Sequence, residues 1–275
     1  MKKIACAPQV GADVEFFCLT NEGIIPVVGI IPGTKEKPYS KDVWKEGYGL
    51  QEDNVMIEVN IPPAMNHRAF ATNMSKVKTY ARRELQQRLG VNEVSLSREV
   101  TNRFTKTQLD SPQAQLIGCD PDLNAYEGGI QRNPPEEIGQ TRSCGGHVHL
   151  GGDFKCPDFV AALFAEAFYF YYGCPIDAKS PRRNFYGAPG SYREKPYGIE
   201  YRTPSNLWAT SGYSETVGMA MLHCAKWLTN SSATVIHRAF RQIEWDLLRE
   251  AISGTISRDN KFKLTENIAL SGATK

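Results

Sequence analysis

The sequence predicts an α+β domain built on an antiparallel sheet, and three observations carry that expectation. The first sixty residues fall into short, strand-like apolar runs bounded by turn residues. From Met65 to Leu89 the period changes, with Phe70, Met74, Val77, Ala81, Leu85 and Leu89 three or four apart, as on one face of a helix. Strands and helices then succeed one another in an order that is not a βαβ series, which favours antiparallel pairing.

Taken in order, GADVEFFCLT and GIIPVVGIIPG flank the turn-like Asn21-Glu22-Gly23 and read as an antiparallel hairpin, followed by a strand in NVMIEVNIPP. The helix from Met65 is closed by Gly90. Residues 91–143 are rich in turn residues (GCDPDLNAYEGG, RNPPEEIG) and too long for a plain connector, so they are expected to form a lid or substrate loop. GGHVHLGG at 145–152 is another strand. Helices are expected over 157–173 and 212–252, the latter broken around Asn230-Ser231-Ser232, with a loop (SPRRNFYGAPGSYREKPYG) and a strand (GIEYRTPS) between them. The segment 254–275 is sparse in apolar residues and reads as a peripheral tail of a single 1–275 domain.

With 275 residues, 41% of them hydrophobic and 10% aromatic, the chain can bury a sizeable core. The net charge of +2 comes from scattered acids and bases, so no basic block points to nucleic acid. Seven cysteines without a CxxC pair argue against a disulfide scaffold or a zinc knuckle and fit a reducing cytoplasm. The start lacks the apolar run of a signal peptide, and FVAALFAEAFYFYY is too short to span a bilayer and carries Glu166. A soluble protein is expected.

One pattern recurs on four strands: Asp13 and Glu15 in GADVEFF, Glu58 and Asn60 in IEVN, His147 and His149 in GHVHL, Glu200 and Arg202 in IEYR. Residues two apart share a face of a strand. A half-solvated sheet shows the same alternation, but it uses Lys, Thr, Ser and Gln freely, whereas these strands offer only Asp, Glu, His, Asn and Arg. If they share one sheet, so many carboxylates on one face require a compensating cation. Oxygen-rich donors with one or two imidazoles suit Mg2+ or Mn2+, and zinc less well. An arginine beside such ions suits a site that handles phosphate. No P-loop and no GxGxxG after a strand is present.

These motifs have a familiar order. GADVEFF, CGGHVHLG and IEYRTPS resemble the acidic strand, the His-x-His segment and the Glu-x-Arg segment of the glutamine synthetase catalytic domain. Together with PGTKEKP, QEDNVMIEVNIPPA and GCDPDLNAY, they resemble the phage-associated carboxylate-amine ligase family called amidoligase type 2, over about residues 10–210. The resemblance implies a glutamine synthetase-like fold, a curved antiparallel sheet with helices on its convex face, holding ATP and Mg2+ (or Mn2+). Carried over residue by residue, it makes Glu15, Glu58 and Glu52 ligands of one metal and Asp13, His147 and Glu200 ligands of the other. His149 would touch the nucleotide phosphates, and Arg202 would stabilise the transferring phosphoryl group. Asp13 is shorter than the family's glutamate, the spacing in QEDNVMIE differs, and the chain is far shorter than a glutamine synthetase.

The activity implied is amide formation between a small-molecule or peptide carboxylate and an amine through an acyl phosphate, with Asp53 or Glu52 as the base for the amine. Lys35 and Lys37 could reach phosphates or be merely solvated. Asp120, Asp122 and Asn124 could bind the amine, order a lid or form turns. Among Arg182, Arg183 and Arg193, the last is the best candidate for holding substrate or phosphate. Rival readings are a guanidino-kinase-like phosphotransferase on the same fold, a metal-dependent hydrolase using the HVH pair, and a nonenzymatic metal or nucleotide sensor.

Overall fold

The computed structural model describes residues 2–42, 44, 46–115, 122–130 and 139–253. The elements, in chain order, are β1 (Gln9–Phe16), β2 (Cys18–Thr20), β3 (Gly23–Ile25), β4 (Gly49–Asp53), β5 (Met56–Ala64), α1 (His67–Leu89), β6 (Ser95–Leu96), β7 (Thr101–Arg103) and α2 (Pro112–Gln115). There follow β8 (Leu123–Asn124), β9 (Thr141–Ser143), β10 (Gly146–Gly151), α3 (Asp158–Phe168), β11 (Ser191–Lys195), β12 (Gly198–Tyr201), α4 (Leu207–Thr210), α5 (Ser214–Asn230), α6 (Ala233–Phe240) and α7 (Trp245–Ser253).

The main sheet has seven strands in the order β4-β5-β1-β10-β12-β11-β8, with every pairing antiparallel. This is a mixed α/β architecture of the expected kind. Strand alternation divides the sheet chemically. Val14, Phe16, Val59, Val148, Leu150, Ile199 and Tyr201 point to one side and are buried in the core. There α1 packs on β5, α5 on β1 and β10, and α3 on β11 and β12. The other side carries the charged residues.

α1 forms as its apolar period predicts, burying Phe70, Met74, Val77, Ala81 and Leu85. Asn66 caps its start by accepting from the Ala69 amide, and Gly90 ends it in the left-handed conformation at φ 68°. α5 approaches α1 so closely that a Cβ on Gly218 would lie 2.8 Å from Phe70 Cδ1. α3 is buried almost all round and continues as a π-helical turn through Tyr169–Gly173. Among the described residues no single helix is long and apolar enough to cross a membrane.

Three expectations need correction. The strand expected over 23–33 ends at Ile25, because Pro26 has no N–H to continue a ladder and a turn over Val27–Ile30 follows. The β2–β3 hairpin forms, but in a separate three-stranded sheet with β6. The loop expected over 180–198 contains β11, and β4 pairs with β5 ahead of NVMIEVN; both are polar strands whose partners, not their own composition, make them extended. The break in 212–252 falls where expected, between α5 and α6. Of the region 91–143, the described parts are tied into small pairings: β6 with β2, β7 with β9, β8 with β11. The segment 254–275 lies outside the described residues.

Candidate active site

The register sets the site. Glu15 lies opposite Glu58, which lies opposite Gln51; Asp13 lies between Asn60 and His147; His149 lies between Gly11 and Glu200, which faces Arg193. All these positions share the face away from the core, and most line a cavity of about 480 Å3 together with Lys35, Asp53, Lys195, Tyr197 and Arg202. That volume is in the range of small-ligand sites.

Two groups of ligand atoms lie within 4.8 Å of one another: Glu15 with Asp53 and Glu58, and Asp13 with His149 and Glu200. In the first group Glu15 and Glu58 are each 6% exposed. Burial, then the charges of Asp13, Asp53 and Glu15, push the Glu58 carboxyl well above its usual range. Asp53 is likewise pushed up, by burial and then by Glu15. Gln51 Nε2 donates to Glu58 Oε1 at 2.7 Å, while the buried Gln51 Oε1 has no hydrogen-bond partner. A crowd of carboxylates with an orphaned amide oxygen beside it is the environment a hard divalent cation satisfies.

In the second group His147 Nδ1 lies 3.0 Å from Asp13 Oδ1, and His149 Nε2 lies 3.1 Å from Asp13 Oδ2. Burial alone would raise the Asp13 carboxyl, but His149 and His147 outweigh it and hold it well below the usual carboxylate range. Burial and Asp13 likewise work to raise Glu200, yet Arg202 and the two imidazoles bring it down to about 2. Arg202, 4% exposed, pairs through Nη1 with Glu200 and through Nε with Asp122 Oδ1 at 2.8 Å. Arg193 Nε reaches the same Asp122 oxygen at 3.1 Å, and Lys195 Nζ reaches Glu200 Oε2 at 2.6 Å.

The structure thus brings together Asp13, Glu15, Asp53, Glu58, His147, His149, Glu200 and Arg202, with Lys35 and Arg193 lining the same cavity. It does not bring Glu52. Side chains alternate along β4, so Gln51 and Asp53 face the site while Glu52 points away and accepts hydrogen bonds from the amides of Gly29, Ile30 and Ile31 at 2.6–3.0 Å. Glu52 is therefore corrected from metal ligand and base to a clamp on the 27–31 turn, and Asp53 is the β4 carboxylate that lies close to Glu15 and Glu58. In the second group His149 completes the close set with Asp13 and Glu200, and His147 Nδ1 lies beside it, 3.0 Å from Asp13 Oδ1 and 3.9 Å from Glu200 Oε1. Asp122 pairs through Oδ1 with both Arg193 and Arg202. Asn124 makes a turn, its side chain accepting from the Tyr126 and Glu127 amides; Asp120 lies outside the described residues.

Three participants escape sequence reasoning. Gln51 is separated from Asp53 by one residue, a spacing that would have flagged it had β4 been recognised. Lys195 and Tyr197 belong to the β11–β12 hairpin read as loop. Arg182, which the sequence offers alongside Arg183 and Arg193, is 3% exposed and lies under the site with Nη2 3.2 Å from His147 Nε2; nothing local in SPRRN separates it from Arg183.

Fold and site together define a mixed α/β protein with a carboxylate-rich cavity on one face of an antiparallel sheet. Residues 139–251, the stretch that carries β10 through β12, match the family described as phage phiEco32-like COOH.NH2 ligase-type 2. A search of curated proteins gives no match.

Proposed function

We infer that the protein is an ATP-dependent carboxylate-amine ligase with a glutamine synthetase-like catalytic fold, which joins a small-molecule or peptide carboxylate to an amine. One observation carries this reading: two cation-ready donor groups and a buried arginine fork lie side by side on a single sheet face. A hydrolase using the two histidines would need no such arginine, and a pure sensor would not need two acidic groups.

The donor sets fit Mg2+ or Mn2+, being mostly carboxylate with one imidazole. Glu15, Asp53 and Glu58 would hold one ion; Asp13, His149 and Glu200 would hold the other. Bound there, the ions would supply charge neutralisation and polarisation at the ATP phosphates. Arg202, held between Glu200 and Asp122, keeps its planar fork aimed without reorganisation and stabilises charge on the phosphoryl group in transfer. Lys35 and Arg193 add positive charge along the cavity wall. The substrate carboxylate attacks the γ-phosphorus, the bond to ADP breaks, and an acyl phosphate forms. The amine then attacks the acyl carbon, phosphate leaves, and the amine proton passes to a base. Asp53 is the more exposed carboxylate of its group, and its raised proton affinity suits that task.

The test is trapping. Incubated with ATP, Mg2+, candidate carboxylic acids and hydroxylamine, the protein is expected to yield a hydroxamate with one ADP released per product. ADP release with phosphorylated acceptor and no hydroxamate would indicate a phosphotransferase instead. Glu15→Gln and Glu200→Gln are each expected to abolish ATP turnover while circular dichroism stays unchanged; full turnover in both would end the metal assignment.

A further inference from the structure

The two cations that meet Glu200 are unlike. Its buried carboxylate gives Oε1 to Arg202 Nη1 and Oε2 to Lys195 Nζ, the latter at 2.6 Å. Arg202 is 4% exposed and is tied through Nε to Asp122 as well, so its planar fork is fixed. The Lys195 side chain is 31% exposed, lines the cavity and carries a compact ammonium on a flexible four-carbon stem.

Register explains how Lys195 reaches the carboxylate. β11 and β12 set Arg193 opposite Glu200 and Lys195 opposite Gly198. Gly198 offers no side chain, and none would fit, since a Cβ there would lie 2.1 Å from the Leu150 carbonyl oxygen. Lys195 therefore leans along the sheet to its diagonal neighbour, Glu200. The backbone beneath it is pinned: the Ile4 amide donates to the Pro196 carbonyl at 2.7 Å, and Lys3 Nζ donates to the carbonyls of Lys195 and Gly198 at 3.1 and 3.0 Å. Movement at this position belongs to the side chain and not to the hairpin.

Glu200 is also one of the three donors grouped with Asp13 and His149. A divalent ion on those donors and an ammonium on the same carboxylate repel each other, and burial keeps water and salt from screening them. One of the nitrogen cations has to yield. Arg202 could leave only by stranding the buried charge of Asp122, which is costly. Lys195 leaves by a change of rotamer into the cavity that it already lines.

We propose that Lys195 is the exchangeable cation of the site: it neutralises Glu200, gives up that carboxylate to a divalent ion, and carries its ammonium to the anionic ligand in the cavity. The inference rests on the cation site of the proposed ligase and adds to it a coupling between ion and anion that runs through one side chain. Coupling of this kind is reciprocal, so whatever loosens Lys195 from Glu200 favours both ligands.

The experiment uses the full chain and reads Lys195 directly. Acetylation by N-hydroxysuccinimidyl acetate, followed by peptide mass spectrometry, compares its labelling rate with that of the other lysines. Labelling of Lys195 is expected to be slow without added ion, to accelerate with Mn2+, and to slow again with Mn2+ and ADP together. In Glu200→Gln it is expected to be fast before any ion is added. Electron paramagnetic resonance of free Mn2+ supplies the second measurement: Lys195→Met removes the competing charge and is expected to tighten one class of Mn2+ site about 10-fold or more in the absence of nucleotide. Labelling that Mn2+ leaves unchanged, or a Lys195→Met chain whose Mn2+ affinity is equal to or below that of wild type, would overturn the exchange while leaving the ligase reading standing. Labelling that stays fast with ADP present would overturn the transfer to the anion. A wild-type chain that binds no Mn2+ would remove the cation site, and with it both the exchange and the ligase reading.

Discussion

Asp53 and Arg202 concentrate the chemistry at the scale of single residues. Asp53 lies close to Glu15 and Glu58 and is the least buried of the three, so the proposed mechanism gives it two uses, as a cation donor and as the base. The nucleophile separates these two uses. Hydroxylamine reaches the site neutral near pH 7 and needs no base, whereas an alkylamine arrives as an ammonium. If Asp53 serves as the base, Asp53→Asn keeps hydroxamate formation and loses amide formation with alkylamines; loss of both products would show that its ligand role dominates. Arg202→Lys keeps a positive charge but not the fork that spans Glu200 and Asp122. Its hydroxamate rate is expected to fall about 100–1,000-fold, the range for removal of one aligned transition-state donor. Steady-state assays at saturating ATP measure that loss.

At the scale of elements, α3 matters for what it anchors. Glu166 is fully buried on this helix and accepts from four donors: Tyr126 Oη at 2.6 Å, the Gly190 amide at 2.7 Å, Thr203 Oγ1 at 2.9 Å and Tyr201 Oη at 3.1 Å. These donors sit just before β11, at the end of β12 next to Arg202, and beside β8, so one side chain ties the helix to three strands of the site. Replacing it with Leu leaves the buried Gly190 amide and Tyr201 hydroxyl without this acceptor, while Thr203 Oγ1 can still donate to the Ala188 carbonyl at 3.0 Å, and is expected to cost about 3 kcal/mol or more in denaturant unfolding. Burial raises the Glu166 carboxyl above its usual 4.5 despite the four donors. The native state then holds this proton more tightly than the unfolded chain does, so the contribution is full below about pH 4.5 and is lost as pH rises through the native value. Glu166→Gln cannot titrate; the gap in melting temperature between it and wild type is therefore expected to narrow as pH rises from 4 to 7.

For the whole molecule, the sheet is a device that crowds like charges, and the crowding is the source of a measurable linkage. Carboxylates forced together at Glu15, Asp53 and Glu58 oppose folding, and a bound cation would relieve that cost. Mg2+ or Mn2+ at 100 times its dissociation constant is expected to stabilise the native state by about 2.7 kcal/mol, read as a rise in melting temperature. Glu58→Gln is expected to melt higher than wild type without metal and to gain less from its addition. An equal metal response in the two proteins would contradict the donor set.

How much of this was legible along the chain depends on the range of the interaction that decides it. Asp13, Glu15, Glu58, His149, Glu200 and Arg202 announce themselves because strand alternation is local, and two-residue spacing places each pair on one face wherever its strand goes. The period of α1 and the break between α5 and α6 are local for the same reason. Pairing is not local. That Asp53 faces the site and Glu52 the turn at Gly29–Ile31 is decided by the register of β4 on β5, and that SYREK is a strand is decided by β12 beside it. The ring contacts of His147 and His149 lie further still from the reach of sequence, because Arg182 and Tyr197 meet them across gaps of 35 and 48 residues. Sequence by itself determined which chemistry the face carries; tertiary structure decided which atom does what, since hydrogen-bond direction exists only once the strands are side by side.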